Sequence, residues 1–142
     1  MSTDFSAFMA QNVQALENKK VVISNRFKDA DGKPIEWEIR AISSEENDEL
    51  QKRCYVNTPI IGQRNKFTRE LDQIKYTGAL LAMSVVYPDL NNAALQDSYG
   101  VKTPEALLKK MLYPREEAKL ANEVMAFSQL EELEELVEEA KN

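Results

Sequence analysis

The chain has 142 residues, of which 43% are hydrophobic and 30% are charged, and its formal net charge is −6. This composition is ordinary for a globular domain and too apolar for general disorder, and no apolar run approaches the roughly 20 residues that span a bilayer. The lack of histidine and the single cysteine, Cys54, exclude a disulfide framework, the common zinc sites and histidine-based catalytic triads. An acidic chain also argues against nucleic acid as a partner, because nucleic-acid binders usually show a basic face.

Residues 4–18 carry an amphipathic pattern near the N-terminus. Apolar residues recur there at spacings of three and four, as Phe5, Phe8 or Met9, Val13 and Leu16. This pattern predicts a short helix over about 4–18. Such a helix either docks on the core or acts as an arm that recognises a partner, and the sequence leaves both open. The segment lacks the basic and long apolar regions of a secretory signal, so we expect a cytosolic protein.

Two β-rich runs, 21–27 and 35–42, lie on either side of a polar turn that contains Asp31 and Gly32. In the second run Ile35, Trp37 and Ile39 alternate with charged residues, which places the three apolar side chains on one face of a strand. Asp-Gly favours a tight turn because glycine readily takes positive φ. The sequence therefore predicts an antiparallel β-hairpin over about 20–42. Two strands alone are marginal in water, so we expect helices to cover the Trp37 face.

Residues 43–142 are predicted to be mainly helical. Ser43 and Glu46 have the spacing of a capping box, which would open a helix that ends near Cys54. Thr68 is expected to cap the strongest helix in the chain. The second half of this helix is apolar nearly all round, so it should be the central buried helix. Gly78 within it costs about 1 kcal/mol relative to alanine, which suggests that another element approaches closely. Further helices are expected over 91–98, 103–112 and 114–127, and a last helix after Ser128.

Two polar or irregular stretches are candidates for contact with a partner. Residues 55–67 contain the helix breakers Pro59 and Gly62, and Ile60 and Ile61 form an apolar pair beside basic residues. This stretch is predicted to be a long loop, either functional or tucking Ile60 into the core. Near the C-terminus, six glutamates lie within nine residues, between 131 and 139. They form either the solvated face of the last helix or a contact for a basic partner.

The predicted architecture is a single α+β domain over residues 1–142, mainly α. It consists of an N-terminal helix (about 4–18), one antiparallel β-hairpin (about 20–42) and a helical body (43–142), with about six or seven helices in all. No catalytic, cofactor-binding or metal site is expected. Four glycines cannot make a phosphate-binding or dinucleotide-binding loop, and the paired carboxylates lie where turns or solvated faces are predicted.

Several stretches together resemble one known family. They are FMAQN, DGKPIEWEIR followed by ISSEE, TRELD, LQDSYGV and the closing VEEAKN, and they run from near residue 5 to the C-terminus. In this order and spacing they resemble the XkdN-like tail assembly chaperones of phages and prophages. The resemblance implies a non-enzymatic chaperone that binds the tape measure protein, with the tail tube protein as a further candidate partner. It also implies a location in the cytoplasm of the bacterial host and absence from the mature virion.

The predicted partner surface combines exposed apolar residues with acidic ones: Phe5, Phe8, Met9, Ile60 and Ile61, with Glu131, Glu135 and Glu138 as a second candidate face. The sequence leaves two other functions open. A structural component of the tail is disfavoured because tail tube proteins are usually β-rich. An acidic DNA mimic would need carboxylates spread over a face, whereas here they are clustered near one end of the chain.

Overall fold

Strand β2 (Trp37–Ile39) is the centre of a three-stranded antiparallel sheet. The structure is a computed structural model, and it describes residues 4–128. Strand β2 pairs on one side with β1 (Lys19–Val21), where Val21 lies opposite Trp37, and on the other side with β5 (Val85–Tyr87). Trp37 and Ile39 are buried and Glu38 between them is half-exposed. The predicted alternation of apolar and charged residues in this strand is therefore confirmed.

A second sheet is a separate hairpin of two five-residue strands. Strand β3 (Tyr55–Pro59) pairs antiparallel with β4 (Phe67–Leu71), from Tyr55 opposite Leu71 to Pro59 opposite Phe67. Its base is closed by a backbone hydrogen bond in which the Asp72 amide donates to the Cys54 carbonyl at 2.9 Å.

Five α-helices complete the described part of the chain: α1 (Ser44–Arg53), α2 (Gln73–Ser84), α3 (Ala93–Ser98), α4 (Pro104–Met111) and α5 (Pro114–Phe127). Side chains cap several of them. Ser43 and Glu46 form the predicted capping box of α1, and Thr103 caps α4 ahead of a proline at its start. A capping side chain accepts a hydrogen bond from a backbone amide of the first turn that has no intrahelical partner.

Helix α2 occupies the middle of the core and packs against α1, α4 and α5. Leu80 and Leu81 of this helix are buried together with residues from the sheet and from each of those helices, namely Trp37, Ile39, Leu50, Leu107, Leu120 and Val124. The prediction of a central buried helix is thus confirmed for its second half. Burial of this kind supplies most of the favourable free energy of folding.

The predicted fold class was wrong. Residues 4–128 contain five α-helices and five strands in two small sheets, rather than one hairpin and six or seven helices. The first sheet has a third strand because the end of the predicted central helix, Val85–Tyr87, leaves the helix and pairs with β2. Consecutive β-branched residues favour the extended backbone there, and the sheet supplies hydrogen-bond partners.

Two further predictions about helices were wrong: the N-terminal helix and the start of the central helix. Residues 4–18 form only one turn of 3₁₀ helix, Ser6–Phe8, with no buried residue, so apolar spacing without a surface to cover did not produce a helix. The central helix begins at Gln73 and not at Thr68, because Thr68 belongs to β4 and Asp72 is the residue that caps α2. The last predicted helix, after Ser128, lies outside the described residues.

Candidate partner-binding surface

The N-terminal segment presents three of the predicted partner-binding residues to solvent. Phe5, Phe8 and Met9 are 61%, 79% and 49% exposed, respectively. They lie around the 3₁₀ turn, where the Phe8 amide donates to the Phe5 carbonyl at 2.9 Å. Large apolar side chains with this exposure are available for contact with another protein.

The other two predicted apolar residues lie at the tip of the β3–β4 hairpin. Ile61 is fully exposed, whereas Ile60 is half-buried and its amide donates to the Lys66 carbonyl at 3.0 Å. Gly62 and Asn65 take positive φ values of 81° and 61°, which turn the chain back towards β4. The stretch predicted as a long loop is therefore a hairpin whose tip presents Ile61.

One face of this hairpin, here called the hairpin face, was missed by the sequence reasoning. Because directly opposed residues in a ladder point the same way, three pairs share this face: Tyr55 with Leu71, Asn57 with Arg69, and Pro59 with Phe67. Tyr55 and Phe67 are 40% and 59% exposed, and the Arg69 guanidinium lies 4.8 Å from the centre of the Tyr55 ring. The aromatic and β-branched residues of YVNTP were the signal that could have indicated a strand.

An open groove of about 510 Å³ lies at the base of the hairpin, between α2 and α4. The uncharged residues that line it are small or apolar: Cys54, Ile74, Gly78, Ala79 and Ala106. A Cβ atom placed on Gly78 would meet no atom of another element within 4 Å. The close approach predicted at Gly78 is therefore wrong, and this glycine faces open space in the groove.

Charged side chains form the rim of the groove. Arg53, Lys75 and Lys109 contribute positive charge and Glu105 contributes one carboxylate. The Lys109 ammonium pairs with Glu117 at 2.6 Å, while Arg53 and Lys75 form no ion pair with any other residue of the range 4–128. The rim is thus cationic on a chain whose net charge is −6.

The two carboxyl groups whose pKa values are lowered most, Glu46 and Glu116, belong to ion pairs between separate segments of the fold. A hydrogen bond from Arg40 lowers the pKa of Glu46 to about 2, and Glu46 also accepts the Ser43 amide of the capping box. A hydrogen bond from Arg26 likewise lowers the pKa of Glu116 to about 2. Since both carboxylates are engaged with arginines in structural contacts, their shifts give no support to acid–base catalysis.

Between residues 4 and 128, no group of three or more histidine, cysteine, aspartate or glutamate side chains is placed to hold a metal ion. No helix in that range is long and apolar enough to cross a membrane. Cys54 is 1% exposed. The three predicted acidic contact residues, Glu131, Glu135 and Glu138, lie outside the described range.

Comparison with known proteins identifies the family. The profile of the family described as "Phage XkdN-like tail assembly chaperone protein, TAC" matches residues 5–141. The chain belongs to this family of phage tail assembly chaperones. The resemblance seen in the sequence is confirmed, and the match includes the exposed N-terminal segment, the hairpin and the groove.

Two relatives and one solved structure are similar to the chain over nearly its whole length. The chain is 31% identical over 141 residues to the phage-like element PBSX protein XkdN of Bacillus subtilis, covering 98% of this chain and 94% of XkdN. It is 29% identical over 141 residues to YqbN of the same organism, covering 98% and 93% of the two chains. The crystal structure of a protein named YqbN superposes with a TM-score of 0.77, at 24% identity, over 92% of this chain and 100% of that one. This last likeness shows a shared fold.

Proposed function

We propose that this family member binds the tape measure protein of its phage or prophage, keeps it soluble and assists the tail tube to assemble around it. The observation that carries the proposal is exposed apolar surface on a tail assembly chaperone. Phe8 is 79% exposed, Phe67 is 59% exposed and Ile61 is fully exposed. A chaperone that keeps aggregation-prone segments soluble needs apolar side chains that are exposed to solvent and not packed in its own core, because these side chains can contact the partner.

The acidic charge of the chain fits the same role. A net charge of −6 opposes self-association of a protein with exposed apolar residues. Charged residues also raise the rate and the selectivity of association wherever their charge is complementary to that of the facing group on the partner. We place the chaperone in the cytoplasm of the bacterial host, acting without catalysis and without a cofactor, and absent from the finished virion. The tail tube protein is a second candidate partner.

The test is co-expression of the chain with the tape measure protein of the same phage or prophage. The expected result is that the tape measure protein moves from the insoluble to the soluble fraction and co-purifies with a tagged chaperone. Expression of the tape measure protein alone is the control. If it stays insoluble in both cases and this chain is found in purified particles, the protein is a structural component of the tail and the proposal is wrong.

A further inference from the structure

The groove between α2 and α4 has the shape of a site for another helix. Its walls are two neighbouring helices, and three of the residues that line it, Gly78, Ala79 and Ala106, carry at most a methyl group. Small residues between two helices leave a channel into which the ridge of a third helix can pack. The volume of about 510 Å³ also falls in the range of small-molecule sites.

The position of the polar groups favours a helix over a small molecule. Sites for small molecules place a few polar groups inside the pocket, where they orient the ligand. Here the charged groups of Arg53, Lys75 and Lys109 belong to exposed residues on the rim, while the lining between them is apolar. An amphipathic helix matches this arrangement, because its apolar stripe would enter the groove and its flanking side chains would meet the rim.

The charge of the rim specifies the helix further. Arg53 and Lys75 have no ion-pair partner within residues 4–128, whereas Lys109 is paired with Glu117 and Glu105 adds a carboxylate. The two cations without a partner in this range would attract flanking aspartates or glutamates on the occupant and repel flanking lysines. Gly78 also permits close packing of the occupant. Since it faces open space, the apolar stripe of the occupant can approach the backbone of α2 at this residue.

We propose that this groove binds an amphipathic helical segment of the tape measure protein whose apolar stripe is flanked by carboxylates. The inference rests on the proposed function, because it assigns the site at which that partner is held. The groove adjoins the hairpin in the chain, because Cys54 lines the groove and β3 begins at the next residue.

The first test fills the groove without disturbing the fold. Gly78→Leu places a large side chain in open space within a helix, so the variant should fold at least as stably as the original chain. We expect its affinity for the tape measure protein to fall about tenfold or more, because the leucine side chain fills the volume that the bound helix would occupy. The matched control is Gln73→Leu, which adds the same side chain at an exposed residue of the same helix that does not line the groove, and it should bind within about twofold of the original chain.

The second test reverses the charge of the rim. Lys75→Glu should weaken binding about tenfold, and the residual affinity should depend less on salt concentration. The matched control is Lys110→Glu, which makes the same charge change on an exposed residue of α4 that does not line the groove. Equal loss in the two variants would mean that only net charge matters, and this would overturn the proposed site.

Cross-linking then identifies the occupant in the assembled complex of full-length proteins. Ile74→p-benzoyl-phenylalanine puts a photoreactive group at the groove, on a residue that is 75% exposed, and Lys110→p-benzoyl-phenylalanine is the control. A cross-link from position 74 to an acidic amphipathic segment of the tape measure protein supports the proposal. A cross-link to residues 129–142 of the same chain, to a second copy, or to neither while the complex is intact would overturn it.

The two proposals fail in different ways. If the original chain does not bind or solubilise the tape measure protein at all, the proposed function is wrong. If the original chain binds it and Gly78→Leu binds it equally well, the function stands and only the assignment of the groove is wrong.

Discussion

Arg26 and Glu116 form an ion pair with two hydrogen bonds that joins the segment after β1 to the first turn of α5. The guanidinium donates from Nη2 to Oε1 at 2.6 Å and from Nε to Oε2 at 3.0 Å, and it also donates to the Met111 carbonyl at 2.7 Å. The same guanidinium lies 4.6 Å from the centre of the Tyr113 ring. One side chain thus connects the sheet to the junction of α4 and α5, where helix ends leave backbone groups in need of partners.

This pair predicts a loss of stability in acid. The pKa of Glu116 is about 2 in the folded protein, below its ordinary value of 4.5, so the folded state binds the proton less tightly than the unfolded chain. Its contribution is therefore fully present above about pH 4.5 and is lost as the pH falls towards 2. Glu46 has the same shift and should act in the same window.

The measurement is the urea midpoint of unfolding at pH 6 and pH 3 for the original chain and for Glu116→Gln. We expect the variant to be less stable at pH 6, with a smaller difference at pH 3, where part of the contribution is already lost. Glu49→Gln is the control. Its carboxylate is 66% exposed and lies 3.9 Å from Lys52, so its effect should stay within about 0.5 kcal/mol. A constant difference between Glu116→Gln and the original chain at both pH values would contradict the role assigned to ionised Glu116.

Replacing the glycine of the central helix should stabilise the protein. A Cβ on Gly78 has no atom of another element within 4 Å, so Gly78→Ala gains helix propensity without a clash, by about 1 kcal/mol at most. Gly100→Ala is the matched control, because Gly100 has φ of +70° and alanine there should cost about 1–2 kcal/mol. Chemical denaturation measures both. Destabilisation by Gly78→Ala would show that the groove is narrower in solution.

Two substitutions in α2 should separate folding from surface contact. Leu80 is completely buried, so Leu80→Ala should lower the free energy of unfolding by about 2–5 kcal/mol through lost burial and a residual cavity. Ile74 is 75% exposed, so Ile74→Ala should change it by less than about 0.5 kcal/mol. Thermal and urea unfolding of the two variants provide the comparison. Similar losses would mean that the exposed side of α2 is covered in solution.

The predicted apolar partner surface can be tested in two parts. Combined alanine changes at Phe5, Phe8 and Met9 test the N-terminal segment, and changes at Ile60 and Ile61 test the hairpin tip. Each set should reduce the amount of tape measure protein recovered in the soluble fraction by about fivefold or more, because exposed apolar anchors dominate such interfaces. Fluorescence of the buried Trp37 reports whether each variant is folded.

Val86→Ala is the control for these surface variants. Val86 is 40% exposed but belongs to β5, which is part of the three-stranded sheet and not of the hairpin. It should leave recovery of the tape measure protein unchanged. If the five alanine changes together leave recovery untouched as well, the surface predicted from the sequence is not the one that binds.

The sequence by itself determined the features that depend on neighbouring residues. The alternation around Trp37, the Ser43–Glu46 capping box and the Thr103–Pro104 start of α4 were all predictable, because period, cap chemistry and proline geometry act within a few residues. The family could also be identified, because its stretches follow one another along the whole chain. Exposed apolar residues near the N-terminus and at Ile61 were predictable as candidates for contact.

Only the tertiary structure decided which local preferences prevailed. Val85 and Val86 continue an apolar helical pattern, yet they form β5 because β2 offers an unpaired edge at that position. Residues 55–71 could be a loop and the start of a helix, but pairing of Tyr55 with Leu71 makes them a hairpin. Strand pairing and grooves arise between residues far apart in sequence, so no pattern within either segment encodes them. The groove beside Gly78 exists for the same reason, since it is bounded by helices separated by the whole of β5 and α3.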